Sequence, residues 1–127
     1  MKDHRRVRCG ALSLLFFALA VAPAHAQKAD NDAGTYVFHY TYEDGLNPTS
    51  TAVLAPDLTF SNDNGSDHGS WSTQGANIVI MYFDRQTPAH AVAIVLPSPC
   101  SSTCSGSVME VAPDGGRWLG TISAAHQ

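Results

Sequence analysis

Basic side chains are scarce beyond the start of the chain. Seven of the 127 residues are Lys or Arg, and four of these are Lys2, Arg5, Arg6 and Arg8. Residues 27–127 keep only Lys28, Arg85 and Arg117 against ten acidic side chains, a formal charge of −7. Affinity for nucleic acid comes largely from Lys and Arg that neutralise phosphates. Three scattered cations exclude nucleic acid as a partner, and they disfavour an anionic membrane surface for the same reason.

Long apolar runs are also missing. Ala11 to Ala22 is the longest, about a dozen residues where a membrane-crossing helix needs roughly twenty. It follows the basic start and precedes Pro23 and the small-x-small stop Ala24-His25-Ala26. That order reads as a signal-peptide helix over residues 1–26, removed after Ala26. Cys9 lies before the apolar run, where a lipoprotein cysteine would follow it. The expectation is therefore a periplasmic or secreted protein with no stable membrane anchor, leaving 101 residues for one domain.

Cysteine is sparse too. After residue 26 only Cys100 and Cys104 remain, in Cys100-Ser-Ser-Thr-Cys104. An even pair in an exported chain suggests a disulfide. Redox motifs usually have two intervening residues and a helix start that lowers a thiolate pKa. Here there are three, preceded by Pro97 and Pro99. Zinc sites take about four ligands, and no histidine lies near this pair. A stapled hairpin tip is expected.

Finally, no stretch after residue 33 shows a helical period. Short runs of β-branched and aromatic residues alternate with Gly, Asn, Asp, Ser and Pro clusters, the pattern of an all-β chain. Residues 27–33 read as a flexible lead, 34–122 as a single β domain and 123–127 as a tail. In Gly34 to Tyr42 the even positions carry Tyr36, Phe38, Tyr40 and Tyr42, so period two places four rings on one face. Further strands are expected at Thr49–Ala55, Leu58–Phe60, Ser70–Thr73, Ile78–Phe83, His90–Leu96, Ser107–Val111 and Arg117–Ile122. Ile78–Phe83 and His90–Leu96 are apolar on both faces, as strands covered on both sides are. Hairpin-length loops, including Asp114-Gly115-Gly116, favour an antiparallel meander of seven or eight strands. Such a meander closes into a small barrel or folds over into a sandwich, and closure removes the edges.

The punctuation Gly34-x-Tyr36, Gly69-x-Trp71, Gly75-x-x-Ile78-x-Ile80 and Gly116-x-Trp118-x-Gly120 resembles small secreted β-meander domains of lipocalin-like or avidin-like shape. In lipocalins a Gly-x-Trp motif marks the first strand, and here Gly34-Thr35-Tyr36 has tyrosine in its place. The later lipocalin motifs are absent. The resemblance implies a barrel and transfers no ligand-binding residue.

Catalytic patterns are few. His39, His68, His90 and His126 have no metal-ligand spacing, so solvated histidines and no metal site are expected. Asn62-Asp63-Asn64-Gly65-Ser66-Asp67 offers hard oxygens but lacks the EF-hand spacing and its terminal Glu. No Gly-x-Ser-x-Gly elbow exists. Glu43, Asp44 and Asp84 lie in turns, and Glu110, flanked by Met109 and Val111, is assigned by alternation to the solvent face. No catalytic residue and no cofactor are expected. The aromatic positions remain: Tyr36, Phe38, Tyr40, Trp71 and Trp118 are expected to line a site for a small apolar ligand. The alternative is an envelope protein-interaction or inhibitor-type module that uses its acidic surface.

Overall fold

The computed structural model describes residues 31–127 except Asn64 and Ser66. The expected signal-peptide helix and residues 27–30 lie outside the described residues. Eight strands follow one another: β1 (Gly34–Tyr42), β2 (Thr49–Leu54), β3 (Thr59–Asn62), β4 (Asp67–Gln74), β5 (Asn77–Phe83), β6 (Ala91–Pro97), β7 (Thr103–Val111) and β8 (Arg117–His126). Each pairs antiparallel with the next, and β8 returns to β1, so the meander is a closed barrel. Closure leaves no sheet edge. Among the described residues no helix is long and apolar enough to cross a membrane.

Period two explains the interior. Tyr36, Phe38 and Tyr40 of β1 point inward, as do Ala52 and Leu54 of β2 and Ile78, Ile80 and Tyr82 of β5. Val92, Ile94 and Leu96 of β6, with Val108, Ile122 and Ala124, complete one core. Eight strands enclose a space just wide enough for side chains to fill. Phe38 and Phe60 stack across it with ring centroids 6.5 Å apart. The apolar residues left over on β5 and β6 face outward. Met81, Ala93, Met109 and Leu119 stand opposite one another across β5–β8 and form an apolar row on the outer wall.

One end of the barrel is closed by the chain before β1. Asp32 is fully buried. Its carboxylate accepts hydrogen bonds from Ser98 Oγ (2.6 Å) and the Cys100 N–H (3.1 Å), and its carbonyl accepts one from Tyr36 Oη (2.6 Å). His126 stacks on Tyr36 at 4.3 Å and bonds the Cys100 carbonyl through Nδ1 at 2.9 Å. Residues 31–33 are thus a plug and not a free lead. Cys100 and Cys104 form the disulfide, with Cα atoms 5.7 Å apart.

Several element boundaries differ from expectation: β3 runs to Asn62 and β4 begins at Asp67, where strands were expected at Leu58–Phe60 and Ser70–Thr73, and two differences are larger. β8 runs to His126, where residues 123–127 read as a tail, because Ser123 to His126 pair with Tyr36 to His39 and close the barrel. β7 begins at Thr103, so Cys104 lies in a strand, paired with Ala124. The serines and glycine of 101–107 carry no apolar period, and the register is set instead by β8 opposite.

Candidate functional site

The other end of the barrel is open. There the β1–β2, β3–β4, β5–β6 and β7–β8 loops surround a cavity of about 380 Å³, within the usual range for small-molecule pockets. Its deeper wall is aromatic and apolar: Tyr40, Tyr82 and Val92, all buried, with Tyr42 and Trp118 half-buried above them. Its mouth carries Asp44, Asp63, Asp67, Asp84 and Glu110. No lysine or arginine is among the described lining residues.

Glycine shapes the inner wall. Gly69 of β4 faces inward, between Phe60 of β3 and Tyr82 of β5 in the register. A Cβ there would collide with the Met81 carbonyl and the Tyr82 backbone. The Phe60 and Tyr82 rings meet at 4.9 Å, covering the glycine between them, an arrangement that repairs the lost packing of a strand glycine. Gly120 stands in the same way opposite Tyr42.

A polar cluster lies on one side of the mouth. Asp84 Oδ1 accepts the His90 N–H at 2.9 Å and the Gln86 N–H at 3.2 Å. Gln86 Nε2 donates both to Asp84 Oδ2 (2.6 Å) and to Glu110 Oε1 (3.1 Å). His90 Nδ1 meets the same Glu110 oxygen at 2.8 Å, and its ring stacks on Trp118 at 5.0 Å. Burial works to raise the Asp84 carboxyl, but the His90 backbone N–H, the neighbouring Glu110 and the Gln86 donors outweigh it and hold Asp84 below the usual carboxylate range. Asp84, His90 and Glu110 bring three ligand atoms within 4.8 Å of one another.

The phenols lie deeper. Tyr40 Oη is 3.4 Å from Tyr82 Oη and accepts a hydrogen bond from Ser50 Oγ at 3.3 Å. The Tyr40 and Tyr42 rings are nearly parallel, 6.0 Å apart. Burial pushes all three cup phenols up; carboxylates add to it at Tyr40 and Tyr42, and the neighbouring Tyr40 phenol adds to it at Tyr82. For Tyr42 the charge and hydrogen bond come from Glu110. Burial also raises Asp67, helped by Asp84 and Asp63. The cup's field is negative.

Of the five residues expected to bind a ligand, Tyr40 and Trp118 lie on the wall of this cavity. Tyr36 and Phe38 are 0% exposed and Trp71 is 2% exposed. They fill the barrel below the cup, and Trp71 Nε1 donates to the Ala55 carbonyl at 2.9 Å. Glu110 faces the cup and not solvent, because Val108 sets the inward phase of β7 while Met109 joins the outer apolar row. His90 is half-buried against Trp118, where a solvated histidine was expected. Asp84, Gln86 and His90 lack any motif spacing. The one sequence signal was Glu110 interrupting an apolar strand.

No protein-family model matches the chain, and no curated protein does either. Two solved structures are similar in fold. A redesigned beta barrel, b11L5F_LGL, has 17% identity and a TM-score of 0.59, covering 79% of this chain and 95% of its own. EF1p2_mFAP2b, solved bound to DFHBI, has 11% identity and a TM-score of 0.61, covering 81% of this chain and 99% of its own. At these identities the likeness concerns the barrel alone.

Proposed function

We propose that this chain is a non-catalytic binding protein that holds a small molecule in the cup at the open end of its barrel. The observation that carries this is the cavity itself: about 380 Å³, with aromatic walls and a few convergent polar groups at its mouth. EF1p2_mFAP2b, similar to this chain in fold and solved bound to DFHBI, supports it. Trp118 lines the cup while Trp71 is buried in the core, so a ligand would report through one tryptophan only. The expected result of a small-molecule fluorescence titration is saturable quenching that Trp118→Phe abolishes and Trp71→Phe retains. Quenching retained by Trp118→Phe would place the ligand elsewhere.

We further propose that the protein acts outside the cytosol. The basic start, the short apolar run and the Ala24-His25-Ala26 stop support this, as does the Cys100–Cys104 disulfide, since disulfides persist in oxidising compartments. Intact-mass analysis of the exported protein is expected to find Gln27 at its start.

A further inference from the structure

We infer that the cup takes a small organic cation, a protonated amine on an apolar or aromatic body, with Asp84 and Glu110 receiving the ammonium and Tyr40, Tyr42 and Trp118 the body. The inference rests on the binding role proposed above and names the ligand's class.

Three independent features of the cavity point this way. The first is its charge: five carboxylates line it, half of the ten acids after residue 26, with no lysine or arginine among its described lining residues. An anionic ligand would meet like charge on every side of the mouth. A neutral one would leave several carboxylates to be desolvated without a counter-charge, which is costly. The second is the wall. Tyr40 and Tyr42, stacked on each other, and Trp118, stacked on His90, line it, and aromatic rings attract a cation within about 6 Å of the ring centre.

The third is Gln86. Its amide nitrogen already sits between the two carboxylates, 2.6 Å from Asp84 and 3.1 Å from Glu110. The pair is therefore spaced to accept two hydrogen bonds from one nitrogen. An ammonium there would make the same two bonds with a full positive charge, and charge-assisted bonds are roughly twice as strong. Gln86 is exposed and its segment carries no core residue, so its side chain can yield the place.

A divalent metal on Asp84, His90 and Glu110 is the competing occupant. It fits less well, because His90 Nδ1 is turned to Glu110 at 2.8 Å and is engaged there. It also leaves the aromatic wall without a role.

The test is calorimetric titration of the full chain with 2-phenylethylamine, its neutral isostere 2-phenylethanol, phenylacetate and Zn²⁺. The expected result is saturation by the amine with Kd below about 1 mM, at least tenfold tighter than 2-phenylethanol, and no saturation by phenylacetate. Asp84→Asn and Glu110→Gln should each weaken the amine about tenfold and leave the alcohol unchanged. Raising the salt concentration on the unaltered chain should weaken the amine alone, which keeps the test independent of how the variants fold. Equal or tighter binding of the alcohol or the acid overturns the cation inference and leaves the small-ligand reading standing. Zn²⁺ binding that is lost in His90→Ala, with no uptake of the amine by the unaltered chain, also overturns it. Failure of every organic probe on a folded sample overturns both.

Discussion

Asp84 shows how a residue in an ordinary turn acquires a role. Its backbone and side-chain donors hold it below its usual value of 3.8. A depressed carboxyl contributes stability above its unfolded value, and that contribution disappears as pH falls through the folded value. Asp67, raised by burial, works oppositely: its contribution is present at low pH and is lost as pH rises through its folded value. Melting curves between pH 2 and 7 should therefore show the unaltered chain losing more stability on acidification than Asp84→Asn does. Parallel curves would contradict the hydrogen-bonded account of Asp84. Gly69 is the second residue whose absence of a side chain matters. Gly69→Ala would drive a methyl into the Met81 carbonyl and the Tyr82 backbone. It should cost about 1–3 kcal/mol in urea unfolding, the usual range for overpacking.

At the scale of elements, strands with strict alternation were legible in the sequence. The inward rings of Tyr36, Phe38 and Tyr40 follow directly from period two in β1. The phase of β7 was not legible, because Met109 and Val111 are as apolar as the inward Val108 and only the pairing with β6 and β8 decides between them. Glu110 was misplaced for that reason, and the site's acidic side with it. The last residues were misread similarly: Ser123-Ala124-Ala125-His126 has no strong β propensity, and long-range pairing with β1 makes it a strand. Removing residues 123–127 should therefore do more than trim a tail. It deletes four of the register pairs that close β1 on β8, and urea unfolding should lose stability and cooperativity together. The Cys100–Cys104 link closes a very short loop, so replacing both by Ser should cost about 2 kcal/mol by chain entropy, plus the packing of the buried Cys100.

The whole molecule is a filled barrel with one plugged end and one open, acidic end. Asp32, Tyr36, His126 and the disulfide seal the first. The aromatic floor and carboxylate mouth form the second. All four tyrosines of the chain are raised above their ordinary value of 10.0, Tyr36 to about 12, burial being the main cause at each. A raised phenol contributes stability that is intact below pH 10 and is lost as pH climbs through its folded value. Ultraviolet titration should show no tyrosinate appearing near pH 10 in the folded protein, and alkaline unfolding should release the four together. One tyrosine ionising near pH 10 with the fold intact would contradict this packing. The most direct test of the cup is a nitrogen–proton spectrum of the full chain titrated with 2-phenylethylamine. The Trp118 indole signal and the amides of Asp84, Gln86, His90 and Glu110 should shift together and saturate, while the Trp71 indole stays fixed. Shifts confined to Met81, Met109 and Leu119 on the outer wall, or none at all, would contradict a binding cup at the open end of the barrel.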